Sequence, residues 1–329
     1  MRRSGRRRVE PLVAAVVAAA VVAVPLSGSG FWLYNLTVVS LYATPVVGLN
    51  LLLGLAGQVS FAQTTFMAIG GYGTAILTTR FGVDPWLAMA AAAVLSLAAS
   101  VVVGLPLLRL RGHYLALATF ALALGTTSFA AGATTLTNGT IGISGVPPLA
   151  LGGLSSASPV VAYAVSWAAC GLATVASAVL AGSHVGRAWR ALATRQDVAA
   201  TLGIRVTRYK LLAFAIAALM ASVAGSLYVE FTTFVGPDLY DIGTVINLFI
   251  MLFVGGRGSV VGPLLGSAVV ILGPQLIAGL EQYQNLVFFL LLLALLLLRP
   301  AGLLGRIRDP APLTAILPVW LLRRRLPAR

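Results

Sequence analysis

The stretch SHVGRAWRALATRQDVAATLGIRVTRYK, residues 183–210, is the one long polar segment within an otherwise apolar chain. It carries five arginines, the only lysine and a single acid, whereas the 329-residue chain as a whole is 59% hydrophobic and 9% charged. Long apolar segments flank it on both sides. A soluble protein of this size needs more polar surface than such a composition provides. The chain is therefore predicted to be an all-α integral membrane protein, with this polar loop on one face of the membrane.

Apolar runs of roughly 20 residues are long enough to cross a bilayer, because a helix satisfies its own backbone hydrogen bonds. Ten such spans are predicted, at residues 11–27, 31–54, 58–79, 85–108, 113–136, 159–182, 210–231, 242–255, 260–280 and 284–299. The first could be a signal peptide, but no convincing small-residue cleavage site follows it, so a retained helix is preferred. Two sets of five spans would be compatible with an inverted repeat.

The basic residues predict the orientation of these spans. With a cytoplasmic N-terminus, 21 of the 22 lysines and arginines fall on the cytoplasmic side, and only Arg80 falls outside. Five of the eight acids fall outside or at the outer membrane edge. Positive residues are retained on the cytoplasmic side during insertion, so both termini are predicted to be cytoplasmic. The net charge of +14 is then a feature of membrane topology and does not indicate nucleic-acid binding.

The predicted organisation has three parts. A basic N-terminus covers residues 1–10, one membrane domain with the polar loop covers 11–299, and a basic cytoplasmic tail covers 300–329. Within the tail, the apolar piece 311–322 is too short to span a membrane. It lies on the membrane surface or is disordered, and both interpretations stay open.

The sequence carries no recognisable catalytic or metal-binding pattern. His113 and His184 have no acid or cysteine at ligand spacing, and no glycine-rich loop precedes Lys210, so no metal site and no Walker A motif are expected. The chain is therefore predicted not to be an enzyme. Ionisable residues are also missing from the middle of the spans, where ion-coupled transporters usually place them; Glu230, at the outer end of the seventh span, is the nearest candidate.

Two glycine-rich stretches are candidates for function. Residues 48–77 place polar side chains among apolar ones, and such groups need partners or a watery path inside a membrane. The predicted translocation pathway comprises Asn50, Gly57, Gln58, Ser60, Gln63 and Thr64. Close packing of helices is the alternative interpretation of this stretch. The second stretch predicts a tight turn at the inner face, formed by Gly255, Gly256, Arg257 and Gly258.

Several ordered pieces of the chain resemble a known family. They are GLNLLLGLAGQVSFAQTTFMAIGGY (48–72), LRLRGHYLALATFALA (108–123), TNGTIGISGVPP (137–148), LGIRVTRYKLLAFAIAALMASVAGSLY (202–228), FVGP (234–237), VGGRGSVVGPLLG (254–266) and RPAGLLG (299–305). Together they resemble the LivM-like permease subunits of bacterial ATP-binding cassette importers for branched-chain amino acids.

The resemblance implies a multi-pass protein of the bacterial inner (plasma) membrane that imports branched-chain or related amino acids. It implies four kinds of partner besides the lipid bilayer: a second, LivH-like permease, two ATPase subunits and an extracytoplasmic substrate-binding protein. ATP and Mg²⁺ would be bound by the ATPases, and no cofactor by this chain. A permease for urea or short amides is the nearest alternative, and an ion-coupled secondary transporter is the alternative from a different class.

The polar loop also contains a predicted short helix. Thr194 to Asp197 is typical of a capping box, which predicts a helix over 195–202, and Gly203 can end it in the left-handed conformation. The pattern resembles the Glu-Ala-Ala-x3-Gly signature of importer permeases, whose short helix docks on the ATPase. That resemblance implies ATPase coupling for Thr194, Asp197, Val198, Ala199, Ala200, Gly203 and Arg205. A capped surface helix without this role is the alternative.

Overall fold

The computed structural model describes residues 29–110, 112–151 and 154–276, together with Leu290, Leu293 and Leu303. These residues are mainly helical. The helices are α1 (Gly30–Leu49), α2 (Gln63–Phe81), α3 (Pro85–Leu107), α4 (His113–Gly132), α5 (Thr134–Thr137), α6 (Pro159–Gly182), α7 (His184–Thr194), α8 (Gln196–Thr201), α9 (Val206–Thr232), α10 (Ile242–Gly255) and α11 (Gly262–Leu276). A π-helical turn, Asn50–Leu55, continues α1, and 3₁₀ turns lie at Gly139–Ile141 and Pro237–Tyr240.

Four two-residue strands complete the secondary structure of the described ranges. They are β1 (Ile143–Ser144), β2 (Ala150–Leu151), β3 (Leu154–Ser155) and β4 (Phe234–Val235). β1 pairs with β4 and β2 pairs with β3, both antiparallel. The first pair joins the connection between α4 and α6 to the segment that follows α9.

Six helical segments in the described part are long and apolar enough to cross a membrane. They are Gly30–Leu55, Pro85–Leu107, His113–Gly132, Pro159–Gly182, Val206–Thr232 and Pro237–Gly255. Each corresponds to a predicted span, and α2 and α11 lie where the third and ninth spans were predicted. The spans predicted at 11–27 and 284–299 fall outside the residues that the structure describes, apart from Leu290 and Leu293. The chain is thus an all-α membrane protein, and the count of ten spans stays a prediction.

The third predicted span begins later than expected. The prediction started it at residue 58, but α2 starts at Gln63, after a non-helical segment. Gly57 has φ of +66°, a left-handed conformation that stops a right-handed helix. The polar residues between positions 57 and 62 are therefore in a loop at one end of the bundle.

α1 and α9 form the centre of the bundle and are mostly buried, whereas α3, α4 and α6 are mostly exposed. α9 packs against α2, α3 and α1, and α1 also packs against α6 and α11. Because the outer helices present apolar side chains such as Leu97, Leu117 and Leu172 to the surface, their outer faces suit a lipid environment.

The contact between α2 and α9 is a backbone contact. A Cβ added to Gly70 would overlap the carbonyl oxygen of Ser222, and one added to Gly225 would overlap that of Met67. The Ser226 hydroxyl donates a hydrogen bond to the Gly70 carbonyl oxygen (3.1 Å). Glycines allow helix backbones to approach closely, so packing and hydrogen bonds hold the pair together.

One end of the bundle collects much of the positive charge, and we call it the basic end. It comprises residues 54–60, the start of the α3–α4 connection, residues 183–209 and residues 256–260. Contacts bring these parts together: a Cβ on Gly57 would lie 2.9 Å from the Ala193 Cα, and one on Gly54 would lie 2.7 Å from the Gly258 nitrogen. Arg80 lies at the opposite end, where it donates to the Thr135 carbonyl oxygen (2.7 Å). The predicted separation of charge thus corresponds to two ends of one bundle.

We expect Gly225→Val to destabilise the protein by about 1–3 kcal/mol or more, because the new side chain would force α2 away from α9. Thermal or denaturant unfolding in detergent would measure the change. Gly171→Val is the matched control, since Gly171 also lies in a membrane helix and no atom lies within 4 Å of an added Cβ. Equal stability of the two variants would contradict the close contact.

Candidate functional site

The first part of the polar loop forms α7, an amphipathic helix docked on the bundle. Ser183 caps it by accepting a hydrogen bond from the Gly186 amide (3.4 Å). Trp189 and Leu192 are fully buried at 0% and 1% exposure. The Trp189 indole nitrogen donates to the Tyr209 carbonyl oxygen in the first turn of α9 (2.8 Å). α7 is thus anchored to the end of the central helix.

The predicted capping box is wrong. Thr194 is the last residue of α7, and its hydroxyl donates to the Arg190 carbonyl oxygen of the same helix (2.9 Å). A threonine hydroxyl within a helix readily bonds four residues back, and here that bond replaces the cap. Arg195 is the extended residue before α8 and makes no side-chain cap. The short helix therefore spans Gln196–Thr201 rather than 195–202, with Asp197 in its first turn.

The left-handed residue predicted at the end of this helix is confirmed. Gly203 has φ of +80°. Its amide donates to the Ala200 carbonyl oxygen (3.0 Å), and the Ile204 amide donates to that of Ala199 (3.2 Å). These two bonds form a Schellman motif, which satisfies carbonyl groups that the helix end would otherwise leave unpaired.

α8 has a buried side and an exposed side. Ala199 is 2% exposed and belongs to the main core cluster, so this residue packs the helix onto the bundle. Val198 and Leu202 are 50% and 74% exposed. Among the residues assigned to coupling, Ala200, Gly203 and Arg205 are also exposed. An apolar pair on a short helix, next to exposed Arg195 and Arg205, is chemically suited to a protein partner.

Sequence reasoning missed the side chains that hold α8 in place. Lys210, in the first turns of α9, is 3% exposed, and its Nζ donates to the Oε1 of Gln196 (2.9 Å). A charged donor strengthens such a hydrogen bond. The sequence did indicate that Lys210 is unusual, because it is the only lysine of the chain and lies at the predicted membrane edge. Its partner on α8 could not be read from spacing.

Asn50 joins two of the predicted site groups. Its Nδ2 donates to the Ser259 carbonyl oxygen, and its Oδ1 accepts from the Gly258 amide, both at 2.7 Å. Gly256 and Gly258 have φ of +101° and +80°, so the turn predicted at 255–258 has a backbone that favours glycine. Arg257 is exposed at this turn. Asn50 therefore acts as a clamp between the end of α1 and the turn after α10.

The other residues assigned to the pathway lie in the loop before α2 and in its first turn. Gln58, Gln63 and Thr64 are buried at 3%, 3% and 1% exposure. Both side-chain polar atoms of Gln58 lack a hydrogen-bond partner, as do the Gln63 Oε1 and the Thr64 hydroxyl. The Ser60 hydroxyl accepts from the Ala62 amide (3.3 Å). Buried polar groups usually find partners, so this cluster is chemically suited to water or a polar solute.

The three predicted groups thus meet at the basic end. Gly57 lies against Ala193 of α7, Asn50 holds the turn at Gly258, and α7 and α8 dock on α9. Gln63 and Thr64 belong instead to the adjoining first turn of α2. Within the described ranges, no three His, Cys, Asp or Glu side chains gather closely enough to hold a metal ion.

We expect Asn50→Leu to lower the free energy of unfolding by about 1–3 kcal/mol for each polar group left unpaired. Denaturant unfolding in detergent would measure it. Thr79→Val is the control, because the Thr79 hydroxyl bonds only to the Ala75 carbonyl oxygen of its own helix (2.6 Å). A loss no larger than that of the control would show that the clamp is not important for stability.

Comparison with known proteins identifies the family. The profile described as "branched-chain amino acid transport system / permease component" matches residues 31–297. The LivM permease of Salmonella typhimurium is 29% identical over 295 residues, which cover 83% of this chain and 69% of that protein. The LivH permease of Escherichia coli K12 is 30% identical over 291 residues, which cover 83% of this chain and 94% of that protein.

A shorter match links the chain to the BraD permease of Pseudomonas aeruginosa, with 33% identity over 126 residues, 38% of this chain and 41% of that protein. Each of these relatives is named as a high-affinity branched-chain amino acid transport system permease. No solved structure matches the chain. The family profile covers most of the bundle, from the second residue of α1 onward. This chain belongs to the permease components of branched-chain amino acid transport systems.

Proposed function

We propose that the chain is the membrane subunit of an ATP-binding cassette importer for branched-chain or related amino acids. The observation that carries the proposal is α8. This short helix and the residue after it expose Val198 and Leu202 at the basic end, and Lys210 ties the helix to α9. In a permease of this family, such a helix gives a separate ATPase a surface to bind. ATP and Mg²⁺ would be held by that ATPase, and this chain would supply the path.

The basic end would face the cytoplasm. The concentration of arginines there, with Arg80 at the opposite end, supports this orientation through the positive-inside rule. Ten spans, with both termini cytoplasmic, would then place the chain as a multi-pass protein of the bacterial inner membrane. The acids Asp84, Asp238 and Asp241 would face outward.

The assembly would contain four other subunits. Two ATPases would dock at the basic end, and a second, LivH-like permease would complete the pathway. An extracytoplasmic substrate-binding protein would dock at the opposite end, where residues 137–144 are a candidate surface. β1 of this surface is paired with β4, which follows the C-terminal end of α9. A binding protein seated here would therefore lie close to that end of α9, and α8 is tied to the other end.

The mechanism follows from how α8 is attached. A force on α8 passes to α9 through the Lys210–Gln196 bond, and a force on α7 passes to α9 through the Trp189–Tyr209 bond. α9 contacts α2 backbone to backbone, and α2 begins immediately after the loop that contains Gln58. Closely packed helices move as rigid bodies rather than deforming. A displacement of the short helix by the ATPase would therefore shift α9 and α2 together and open or close the loop at residues 57–62.

The energy source is tested by uptake of labelled leucine in cells. We expect uptake to disappear when the partner ATPases are deleted or carry a substitution in the Walker A lysine, while a protonophore has no direct effect. Uptake that survives ATPase deletion and collapses with the protonophore would overturn the proposal.

We expect Leu202→Glu to abolish ATP-dependent uptake and co-purification of the ATPase, because a charge on the exposed apolar pair would oppose docking. The amount of inserted chain, measured by immunoblotting of membranes, should not change. Leu110→Glu is the control, since Leu110 is an exposed apolar residue (39%) at the same end but outside the polar loop. Normal uptake by the Leu202 variant would contradict the coupling role of α8.

Lys210→Met tests the transmission step. It keeps an apolar stem of similar length but removes the bond to Gln196, so α8 would still be present but less firmly held. We expect leucine uptake to fall about tenfold, because a hydrogen bond to a charged group contributes about 1.5–3 kcal/mol. Gln196→Glu keeps an acceptor for Lys210 and should retain uptake. Equal loss in both variants, or loss in neither, would refute this role.

A further inference from the structure

A cavity of about 430 Å³ lies at the end of the bundle opposite the polar loop. It is an open cavity bounded by α1, α9 and the segment that leads into α6. Side chains in its wall include Tyr34 and Thr37 of α1, Ser156 before α6, and Glu230 and Phe231 of α9. Tyr34 is 55% exposed, so the cavity reaches the surface of the chain. Its size falls within the range of small-molecule sites.

Glu230 is the unusual residue of this cavity. It is 2% exposed, and neither carboxylate oxygen has a hydrogen-bond partner. The Ser156 hydroxyl in the same wall is buried and also lacks a partner. A carboxylate in such a place is costly unless a cation or hydrogen-bond donor reaches it.

The rest of the cavity indicates which cation fits. The rings of Tyr34 and Phe231 lie with centroids 5.3 Å apart, and aromatic faces attract organic ammonium groups. A small pocket of about 10 Å³ lies beside Glu230 and has room for about one water molecule, so an apolar chain has to lie in the larger cavity. The wall of the larger cavity contains the apolar side chains of Leu33 and Pro148. An acid beside aromatic and apolar side chains matches a ligand with an ammonium group on an apolar chain.

We propose that this cavity binds a primary ammonium group on an aliphatic chain, with Glu230 as its counter-ion and Ser156 as a second acceptor. Two sources carry this chemistry: a free aliphatic amino acid and the ethanolamine headgroup of a phospholipid. If the source is the free compound, its identity as the transported amino acid rests on the proposed function. Binding of the ammonium group itself rests only on the cavity.

The test uses the full chain in nanodiscs of phosphatidylglycerol, which has no amine. Equilibrium binding of radiolabelled leucinol probes the ammonium site, because leucinol keeps the ammonium group and the branched chain of leucine but has no carboxylate. 4-Methylpentanol, as a competitor, has the same chain without the nitrogen. Glu230→Gln removes the charge at nearly constant shape. Asp238→Asn is the matched control, an exposed acid at the same end but outside the cavity wall.

We expect Glu230→Gln to weaken leucinol binding by roughly tenfold or more, since losing one partner of a buried charge pair typically costs several kcal/mol. Asp238→Asn should bind as the unaltered chain does, and 4-methylpentanol should not compete. Thermal unfolding of each variant shows that the chain remains folded. If Glu230→Gln unfolds the chain, Ser156→Ala replaces it, with an expected weakening of a few-fold, since one neutral hydrogen bond is removed.

The two sources are separated by adding phosphatidylethanolamine to the nanodiscs. The lipid headgroup is the ligand if leucinol no longer binds in these discs and if the unaltered chain, but not Glu230→Gln, retains phosphatidylethanolamine. Leucinol binding that persists supports the free compound. Three results would overturn the proposal of an ammonium site. They are equal leucinol binding by the Glu230 variant and the unaltered chain, competition by 4-methylpentanol, and binding of neither leucinol nor phosphatidylethanolamine. The binding assay needs no ATPase, so it succeeds or fails independently of ATP-driven uptake.

Discussion

The backbone contact between α2 and α9 is the interaction on which the rest of the structure depends. Lipid tails are as apolar as leucine, so hydrophobicity alone does not drive two membrane helices together. Gly70 and Gly225 allow an approach that larger residues would prevent, and the Ser226 hydroxyl bonds across it. The loop at residues 57–62 is attached to α2, and the docked helices α7 and α8 are attached to the start of α9. Their relative position is therefore set by one tightly packed contact.

The two ends of the bundle differ in how they use charge. At the opposite end, the carboxylates of Asp84 and Asp241 accept hydrogen bonds from backbone amides at the starts of α3 and α10 (2.9 and 2.8 Å). Such caps neutralise the positive end of a helix dipole, so these acids stabilise the starts of two helices in addition to any effect on membrane orientation. At the basic end, Arg195, Arg205 and Arg257 remain exposed. The acids at one end are thus paired with backbone amides of this chain, whereas the arginines at the basic end are exposed and can interact with a partner.

Some features were predictable from the sequence because one residue type dominates them. Gly203, Gly256 and Gly258 adopt left-handed conformations that favour glycine, and long apolar runs became helices. The cap at Thr194 failed because its hydroxyl had a competing acceptor four residues earlier. The Lys210–Gln196 bond and the walls around Glu230 were not predictable, since each joins elements whose relative placement depends on packing across the whole bundle. The ordered motifs were enough to predict the family, whereas the contacts at the sites could be identified only from the three-dimensional structure.

The Asn50 clamp has a consequence for how the chain is made. Its acceptor, the Ser259 carbonyl oxygen, lies 209 residues further along the chain. Chains are synthesised from the N-terminus, and distant contacts cannot form until the later segment has emerged. Until residue 259 has been synthesised, the side-chain amide of Asn50 therefore lacks this partner, and an unpaired amide in apolar surroundings is unfavourable in free energy. The bond to the turn after α10 therefore forms only after most of the helical bundle has been made, and a chain that stops before residue 259 lacks it.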